Sequence, residues 1–182
     1  DSIPRIIEIF KEKKLTKKDD GALIVEVKDP TDKKEVPPIL LIKSNGASGY
    51  QTTEIATIYN RVRDYNPDAI WYLTDARQTL HFEQVFRACK KAEIVREDVS
   101  LEYLPFGTMN GPDGKPFKTR DGGVMSLKNL IQIVEEEAVK KINVDIVGEE
   151  KKQDTAHAIA ISTIKYADLI PFRTTDYIFD PK

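Results

Sequence analysis

Three short apolar runs recur at a constant interval in the middle of the chain, and this interval constrains the fold more than any other feature. The runs begin at Ile39, Ile70 and Leu101, each 31 residues after the one before it. A strand, a helix and two turns need about 30 residues, and such a unit joins parallel strands through right-handed crossovers. The sequence therefore predicts an α/β fold with parallel strands, the half of a doubly wound sheet, whose strands are buried on both faces.

Two helical patterns lie between these runs. Apolar residues at spacings i, i+3, i+4 and i+7 form one stripe on a helix with 3.6 residues per turn. The two stripes are Ile55, Ile58, Tyr59 and Val62, and then Phe82, Val85, Phe86 and Cys89. The second stripe makes Cys89 a core residue.

The flanking segments are less regular. Residues 1–18 predict a helix with Ile3, Ile6, Ile7 and Phe10 on one face. The charged run Lys11–Asp20 is interpreted as a solvated helix end and loop, and a short strand follows at 22–27. Beyond the glycine-rich loop 107–123, Ser126 is expected to cap a helix, and a further helix over 154–167 is expected to be substantially buried.

Composition narrows the class of protein. The 182 residues suit one domain, or one and part of another, and their 28 basic and 30 acidic side chains give a net charge of −2. Bulk positive charge therefore cannot hold a nucleic acid, and a polyanion must be bound by local lysines and arginines. No run approaches the roughly 20 apolar residues of a membrane helix, and no signal peptide is apparent. Because the single cysteine cannot form an internal disulfide, a reducing compartment is expected.

Polar residues follow each of the three predicted strands. Ligands of open parallel sheets bind outside the carboxyl ends of the strands, so these positions are candidates for one shared crevice. The candidate segments are 44–49 with Tyr50 and Glu54, then 75–78 with His81, and then the loop 107–123. Segment 44–49 lacks both standard phosphate-loop patterns and is interpreted as a tight turn near a ligand.

Tyr50 and Glu54 lie four residues apart at a helix start, so they face the same way. A ring beside a carboxylate suits a cationic group. The alternative is an acid that only complements the helix dipole. His81 alone reads as a surface or capping residue, and with only one other histidine, His157, no metal site is expected.

Three cations lie within six positions of the glycine-flanked loop, namely Lys115, Lys118 and Arg120. A flexible basic loop can close over a phosphate-rich ligand and stabilise charge during attack at phosphorus. The alternative is a mobile surface turn without function.

Four segments resemble arginyl-tRNA synthetase, and they occur in that family's order. They are residues 41–56, 75–82, 106–122 and 164–180. The resemblance implies a cytoplasmic class I aminoacyl-tRNA synthetase: the second half of a Rossmann-type parallel sheet, followed by an α-helical stem segment. It also implies the activity of that family, which uses ATP with Mg²⁺ to form arginyl-adenylate from L-arginine and then transfers the arginine to tRNA(Arg). No membrane partner is expected. The alternatives are a non-catalytic nucleotide- or tRNA-binding module, another class I synthetase, or a nucleotidylyltransferase.

The resemblance also implies roles for individual residues. Tyr50, Glu54 and Gln78 match the positions that hold arginine, although Glu54 stands where the family commonly has aspartate. Residues 116–119 match a degenerate form of the class I Lys-Met-Ser-Lys loop, and His81 would neighbour the adenylate. The implied ATP and phosphate loop comprises Lys115, Phe117, Lys118, Thr119 and Arg120.

One family motif is absent. The positions of the two histidines exclude the His-x-Gly-His signature of class I synthetases. We therefore expect a fragment that is inactive alone. Its expected parts are an insertion (1–37), the second catalytic half (38–125) and a helical stem (126–182) that leads to a missing anticodon-binding domain.

Overall fold

The structure is a computed structural model, and it describes residues 2–116 and 125–181. The chain divides into two compact units, Asp1–Pro105 and Phe106–Lys182.

The first unit contains three helices and five strands, the last of which ends at the first residue of the second unit. In chain order they are α1 (Ile3–Glu12), β1 (Thr16–Asp19), β2 (Ala22–Val25), β3 (Ile39–Ile42), α2 (Tyr50–Tyr65), β4 (Ala69–Asp75), α3 (Thr79–Lys91) and β5 (Ser100–Phe106). A 3-10 turn, Ala76–Gln78, joins β4 to α3. Strands β1, β2 and β3 form one sheet, and β4 pairs with β5 in another.

The alternation of strands and helices agrees with the sequence prediction. Each of the three apolar runs is a strand, and each predicted helical stripe lies on the helix between two of them. The predicted α/β class, followed by a helical segment, is therefore confirmed. The pairing of β3 differs from the simple parallel series, because β2 runs antiparallel to it with Leu23 opposite Ile42 and Val25 opposite Ile39.

The charged run 11–20 is not the simple solvated loop that the sequence analysis expected. Helix α1 ends at Glu12, and β1 then pairs antiparallel with β2, with Asp19 opposite Ala22. The two residues between these strands, Asp20 and Gly21, both have positive φ angles, of 43° and 77°. A two-residue turn of this kind matches the twist of a β-hairpin.

A single apolar cluster fills the first unit. Ile6 and Phe10 of α1 are fully buried, together with Leu41 of β3 and Ile55 of α2. Cys89 of α3 is also buried, as predicted, and burial raises the pKa of its thiol. Burial of these apolar side chains away from water is the main source of stability for the first unit.

Strand β4 is buried on one face only, which corrects the expectation of burial on both. Tyr72 is buried, and its ring contacts those of Phe82 and Phe86 of α3. Trp71 and Leu73 point the opposite way, because side chains alternate along a strand, and they are 64% and 60% exposed.

The second unit is built on two long helices. Its elements are β6 (Met109–Asn110), α4 (Leu127–Lys141), α5 (Val144–Val147), α6 (Lys152–Leu169) and β7 (Tyr177–Ile178). Ser126 caps α4 as predicted, since its hydroxyl accepts a hydrogen bond from the backbone N–H of Asn129. Strands β6 and β7 pair in parallel.

Helix α6 is far less buried than the sequence analysis expected. Among its described residues, Ala156, Ala160 and Ile164 are buried, on the side that packs against α4. Tyr166 and Leu169 are 69% and 79% exposed. One packing partner covers one side of a helix, so the apolar residues elsewhere on α6 stay in contact with solvent. No helix in the described part of the chain is long and apolar enough to cross a membrane.

Candidate functional site

Helix α2 begins against the backbone of strand β3. The N–H of Gly49 donates to the carbonyl oxygen of Leu41 at 3.0 Å, and the hydroxyl of Thr52 donates to the same oxygen at 2.8 Å. A Cβ atom on Gly49 would lie 1.8 Å from the carbonyl oxygen of Leu40. Only glycine permits this approach, which places the first turn of α2, with Tyr50, at the end of β3.

The second side of the site begins at the end of β4. The carboxylate of Asp75 accepts hydrogen bonds from the backbone N–H and the guanidinium of Arg77, which hold the pKa of that carboxyl below its usual range. The hydroxyl of Tyr103 donates to the carbonyl oxygen of Asp75 at 2.6 Å. The 3-10 turn that Asp75 caps is followed by α3, whose first turn carries His81.

The rings of Tyr50 and His81 meet where these two helices begin. Their centroids are 5.3 Å apart, and the planes are inclined by 44°. The ring of Phe82 lies edge-on to that of His81, with 5.0 Å between their centroids. Tyr50 is 69% exposed, so its ring forms the solvent side of the pair.

Burial of His81 favours its neutral imidazole over the charged form. Burial lowers its pKa below the usual 6.5, and the negative charge of Glu54 opposes this shift. The Nε2 atom of His81 is buried and makes no hydrogen bond within the described residues. A neutral ring nitrogen without a partner can still donate or accept one hydrogen bond.

Glu54 brings a negative charge to the same place. It lies one helical turn after Tyr50 and is half-buried. Its charge acts on two neighbouring groups: it opposes the fall in the pKa of His81 and adds to the rise in the pKa of Tyr72. Burial is the largest cause of the pKa of Tyr72, which rises to about 12, and the guanidinium of Arg61, 5.1 Å from the ring centroid, opposes that rise. A carboxylate beside aromatic rings is suited to a cation.

The remaining predicted residues are not joined to this cluster. Gln78 ends the 3-10 turn and is exposed, and within the described residues no hydrogen bond joins its side chain to Tyr50 or Glu54. Lys115 is exposed in the second unit, in a turn closed by a hydrogen bond from the N–H of Gly111 to its carbonyl oxygen at 2.8 Å. Phe117, Lys118, Thr119 and Arg120 lie outside the described residues. Within residues 2–116 and 125–181, no group of three or more histidine, cysteine or acidic side chains could hold a metal ion.

Gln84, which was not among the predicted site residues, lies on the buried side of α3. Its amide donates to the carbonyl oxygen of Pro37 at 2.7 Å and accepts from the amide of Gln51 at 3.4 Å. The signal was present in the sequence, because Gln84 shares a helical face with the apolar Ala88. A polar residue within an apolar stripe indicates a buried hydrogen bond.

Comparisons with known proteins agree with the resemblance seen in the motifs. The model of the family described as tRNA synthetases class I (R), catalytic domain, matches residues 1–181. The arginine–tRNA ligase of Agathobacter rectalis is 46% identical over 186 residues, which cover 98% of this chain and 31% of that protein. The arginine–tRNA ligase of Alkaliphilus oremlandii is also 46% identical, over 176 residues that cover 96% of this chain and 30% of that protein. This chain thus spans about a third of the length of these relatives.

Solved structures give the same result. The arginyl-tRNA synthetase of Plasmodium falciparum superposes with a TM-score of 0.77 at 26% identity, over 99% of this chain and 29% of that one. The Thermus thermophilus arginyl-tRNA synthetase superposes with a TM-score of 0.72 at 14% identity, over 98% of this chain and 35% of that one, which shows a shared fold. With a family model that matches nearly every residue and relatives of 46% identity, this chain belongs to the catalytic domain of the class I arginyl-tRNA synthetase family.

Proposed function

We propose that the full-length protein containing this chain is an arginine–tRNA ligase, which activates L-arginine with ATP to form arginyl-adenylate and transfers the arginine to tRNA(Arg). The observation that carries the proposal is the cluster at the starts of α2 and α3. There the ring of Tyr50 lies 5.3 Å from that of His81, and the charge of Glu54 acts on His81. Curated relatives with 46% identity bear the name of this activity.

The chemistry of arginine fits this cluster. A guanidinium is flat and permanently charged, and it offers N–H groups in a fork that matches a carboxylate. Glu54 supplies the carboxylate, and Tyr50 supplies a ring on which the flat cation can stack. Lysine has a compact ammonium that cannot fill two parallel hydrogen bonds, so the same site disfavours lysine.

Gln78 and His81 take secondary roles in this proposal. Gln78 is exposed and precedes His81 by three residues, and its amide can accept from the substrate once arginine is bound. The neutral imidazole of His81 has an unused Nε2 atom and neighbours the adenylate. Neutrality matters here, because a cationic His81 would repel the guanidinium.

ATP is proposed to bind with Mg²⁺ carried on its phosphates, since Mg²⁺ commonly reaches an active site on substrate phosphates. The loop that would act on these phosphates comprises Lys115, Phe117, Lys118, Thr119 and Arg120. Its cations would neutralise charge as the α-phosphorus is attacked by the arginine carboxylate and pyrophosphate leaves. The exposure of Lys115 supports this proposal, because an exposed ammonium group can reach a phosphate.

The parts of the chain are proposed to divide this work. Residues 1–37 belong to a connective insertion, residues 38–125 form the second catalytic half, and residues 126–182 form a stem that leads towards an anticodon-binding domain. Since the chain spans about 31% of its relatives and lacks the His-x-Gly-His motif, we propose that it is inactive alone. Pyrophosphate exchange that depends on arginine and tRNA, if measured with the 182-residue chain, would contradict this. The proposed location is the cytoplasm.

The test is Glu54→Ala in the full-length protein. Loss of the carboxylate leaves the substrate cation unpaired, so kcat/KM for arginine should fall roughly 30- to 150-fold. This factor corresponds to a loss of about 2–3 kcal/mol of transition-state stabilisation. Aminoacylation of tRNA(Arg) at varied arginine concentration measures this.

The matched control is Glu97→Ala. Glu97 is an exposed glutamate of the same unit, outside the cluster, and its removal should leave the arginine dependence unchanged. Wild-type arginine dependence in Glu54→Ala would refute the assignment.

A further inference from the structure

The described residues contain two fully or almost fully buried polar side chains, Thr52 and Gln84. A buried amide costs free energy unless its hydrogen bonds are satisfied. Gln84 is 4% exposed, and both ends of its amide are used, towards Pro37 and Gln51.

These two bonds join three segments that surround the candidate site. Gln84 lies one turn after His81 on α3, and Gln51 directly follows Tyr50 on α2. Pro37 lies on the chain that enters β3. One side chain, in the second turn of α3, therefore connects that helix to the start of α2 and to the approach to β3.

Packing alone does not account for a glutamine at this position. Methionine has a similar length and volume and would fill the same space without burying an amide. Unlike methionine, the amide forms directional hydrogen bonds, and these fix the distance between the groups that they join. Here the bond joins Gln51, the residue after Tyr50, to Gln84, which lies one turn after His81.

We propose that Gln84 is a positioning residue for the arginine site, holding the first turns of α2 and α3 at the separation that sets Tyr50 against His81. The inference rests on the proposed function. Gln84 does not touch the substrate; it acts through Gln51 and through the α3 backbone. A misplacement of about 1 Å at a binding group can cost orders of magnitude in rate or affinity.

The test is Gln84→Met in the full-length protein, with aminoacylation kinetics for arginine and ATP. KM for arginine should rise by about tenfold, while KM for ATP should change less than about twofold. A residue with only a structural role would instead lower the melting temperature and the fraction of active enzyme, with both KM values unchanged.

Gln51→Met provides a second test that leaves the side chain of Gln84 and its bond to Pro37 in place. Gln51 is half-buried, and its loss removes the 3.4 Å bond alone, so KM for arginine should rise by a smaller factor, about threefold. The matched control is Gln132→Met, an exposed glutamine on α4 of the other unit, which should leave both KM values at the wild-type level.

An unchanged KM for arginine in Gln84→Met overturns the inference. If Gln84→Met does not fold, Gln51→Met decides alone. A rise in KM for arginine without a rise in KM for ATP supports the inference, and wild-type kinetics overturn it. Failure of the proposed function has a different signature, since the wild-type protein would then show no arginine-dependent charging of tRNA.

Discussion

The two units of this chain reach their folds with very different interiors. In the first unit, one helix, one hairpin and two crossovers enclose a single large apolar cluster, in which Ile6 and Phe10 are completely buried. In the second unit, the apolar cluster of the described residues is smaller and contains five buried members, namely Leu130, Val134, Ala160, Ile164 and Phe179. Large apolar side chains such as Leu169 and Phe172 of this unit are instead exposed.

The difference shows where precise geometry can be built. A candidate binding cluster needs supports that do not move, and the first unit supplies them as hydrogen bonds that Gly49, Thr52 and Gln84 donate to backbone carbonyl oxygens. The described part of the second unit contributes Lys115, in an exposed turn.

The largest effect that can break this comparison is expected at Phe10. Phe10→Ala removes a fully buried ring and leaves a cavity, so the free energy of unfolding of the chain should fall by about 3–5 kcal/mol. Urea unfolding followed by circular dichroism measures the change. Phe172→Ala is the matched control, because this ring is exposed in the second unit, and its effect should stay within about 0.5 kcal/mol. Equal losses in both variants would show that the two interiors do not differ as described.

An intermediate effect is expected at Gly49. Gly49→Ala drives a Cβ atom against the carbonyl oxygen of Leu40, and the strand or the helix must shift, at a cost of roughly 1–3 kcal/mol in unfolding free energy. Because the same contact sets the start of α2, KM for arginine in the full-length protein should rise as well.

Gly114→Ala separates the clash at Gly49 from the mere loss of a glycine. Among the described residues, no atom lies within 4 Å of a Cβ added to Gly114, whose φ is positive at 71°, so backbone strain of about 1 kcal/mol is expected. A Gly49→Ala variant with the same small loss and unchanged kinetics would argue against a tight junction between α2 and β3.

The smallest effect is expected on stability at acidic pH, and it comes from the ion pair between Asp32, in the loop before β3, and Arg87 of α3. Both oxygens of Asp32 accept from the guanidinium of Arg87 at 2.7 Å, and these bonds lower the pKa of Asp32 from 3.8 to about 2. A folded-state pKa below the unfolded value means that the unfolded chain binds the proton first. The pair therefore contributes above about pH 4, and its contribution is lost as the pH falls towards 2.

Asp32→Asn removes that titration. The wild-type chain should lose stability between pH 4 and pH 2 more steeply than the variant, as measured by urea midpoints at each pH. Parallel pH profiles would show that the Asp32 pair does not stabilise the first unit.

Much of the fold could be predicted because its signals are local. The 31-residue interval and the helical stripes located β3, α2, β4 and α3, and Ser126 marked the start of α4. The hairpin was missed although its signal is also local. The pair Asp20–Gly21 was interpreted as part of a charged run, yet these residue types favour the positive φ angles that a two-residue hairpin turn needs.

Other features could not be predicted because they depend on partners distant in sequence. Periodicity marks which residues of β4 and α6 are apolar, but it does not reveal whether anything packs against Trp71 or Leu169. The contact between Tyr50 and His81 likewise joins two crossovers, and its distance is set by the packing of α2 and α3. Tyr50 and Glu54 were identified from spacing, whereas Gln84 became visible only through its partners.

The exposed face of β4 gives the chain an optical probe of its own. Trp71 is the sole tryptophan of the 182 residues, and its indole is 64% exposed to solvent. Its fluorescence should therefore have a long-wavelength maximum and be readily quenched by iodide or acrylamide. A blue shift and loss of quenching in a longer protein would report, without any label, that this face of the sheet has become dry.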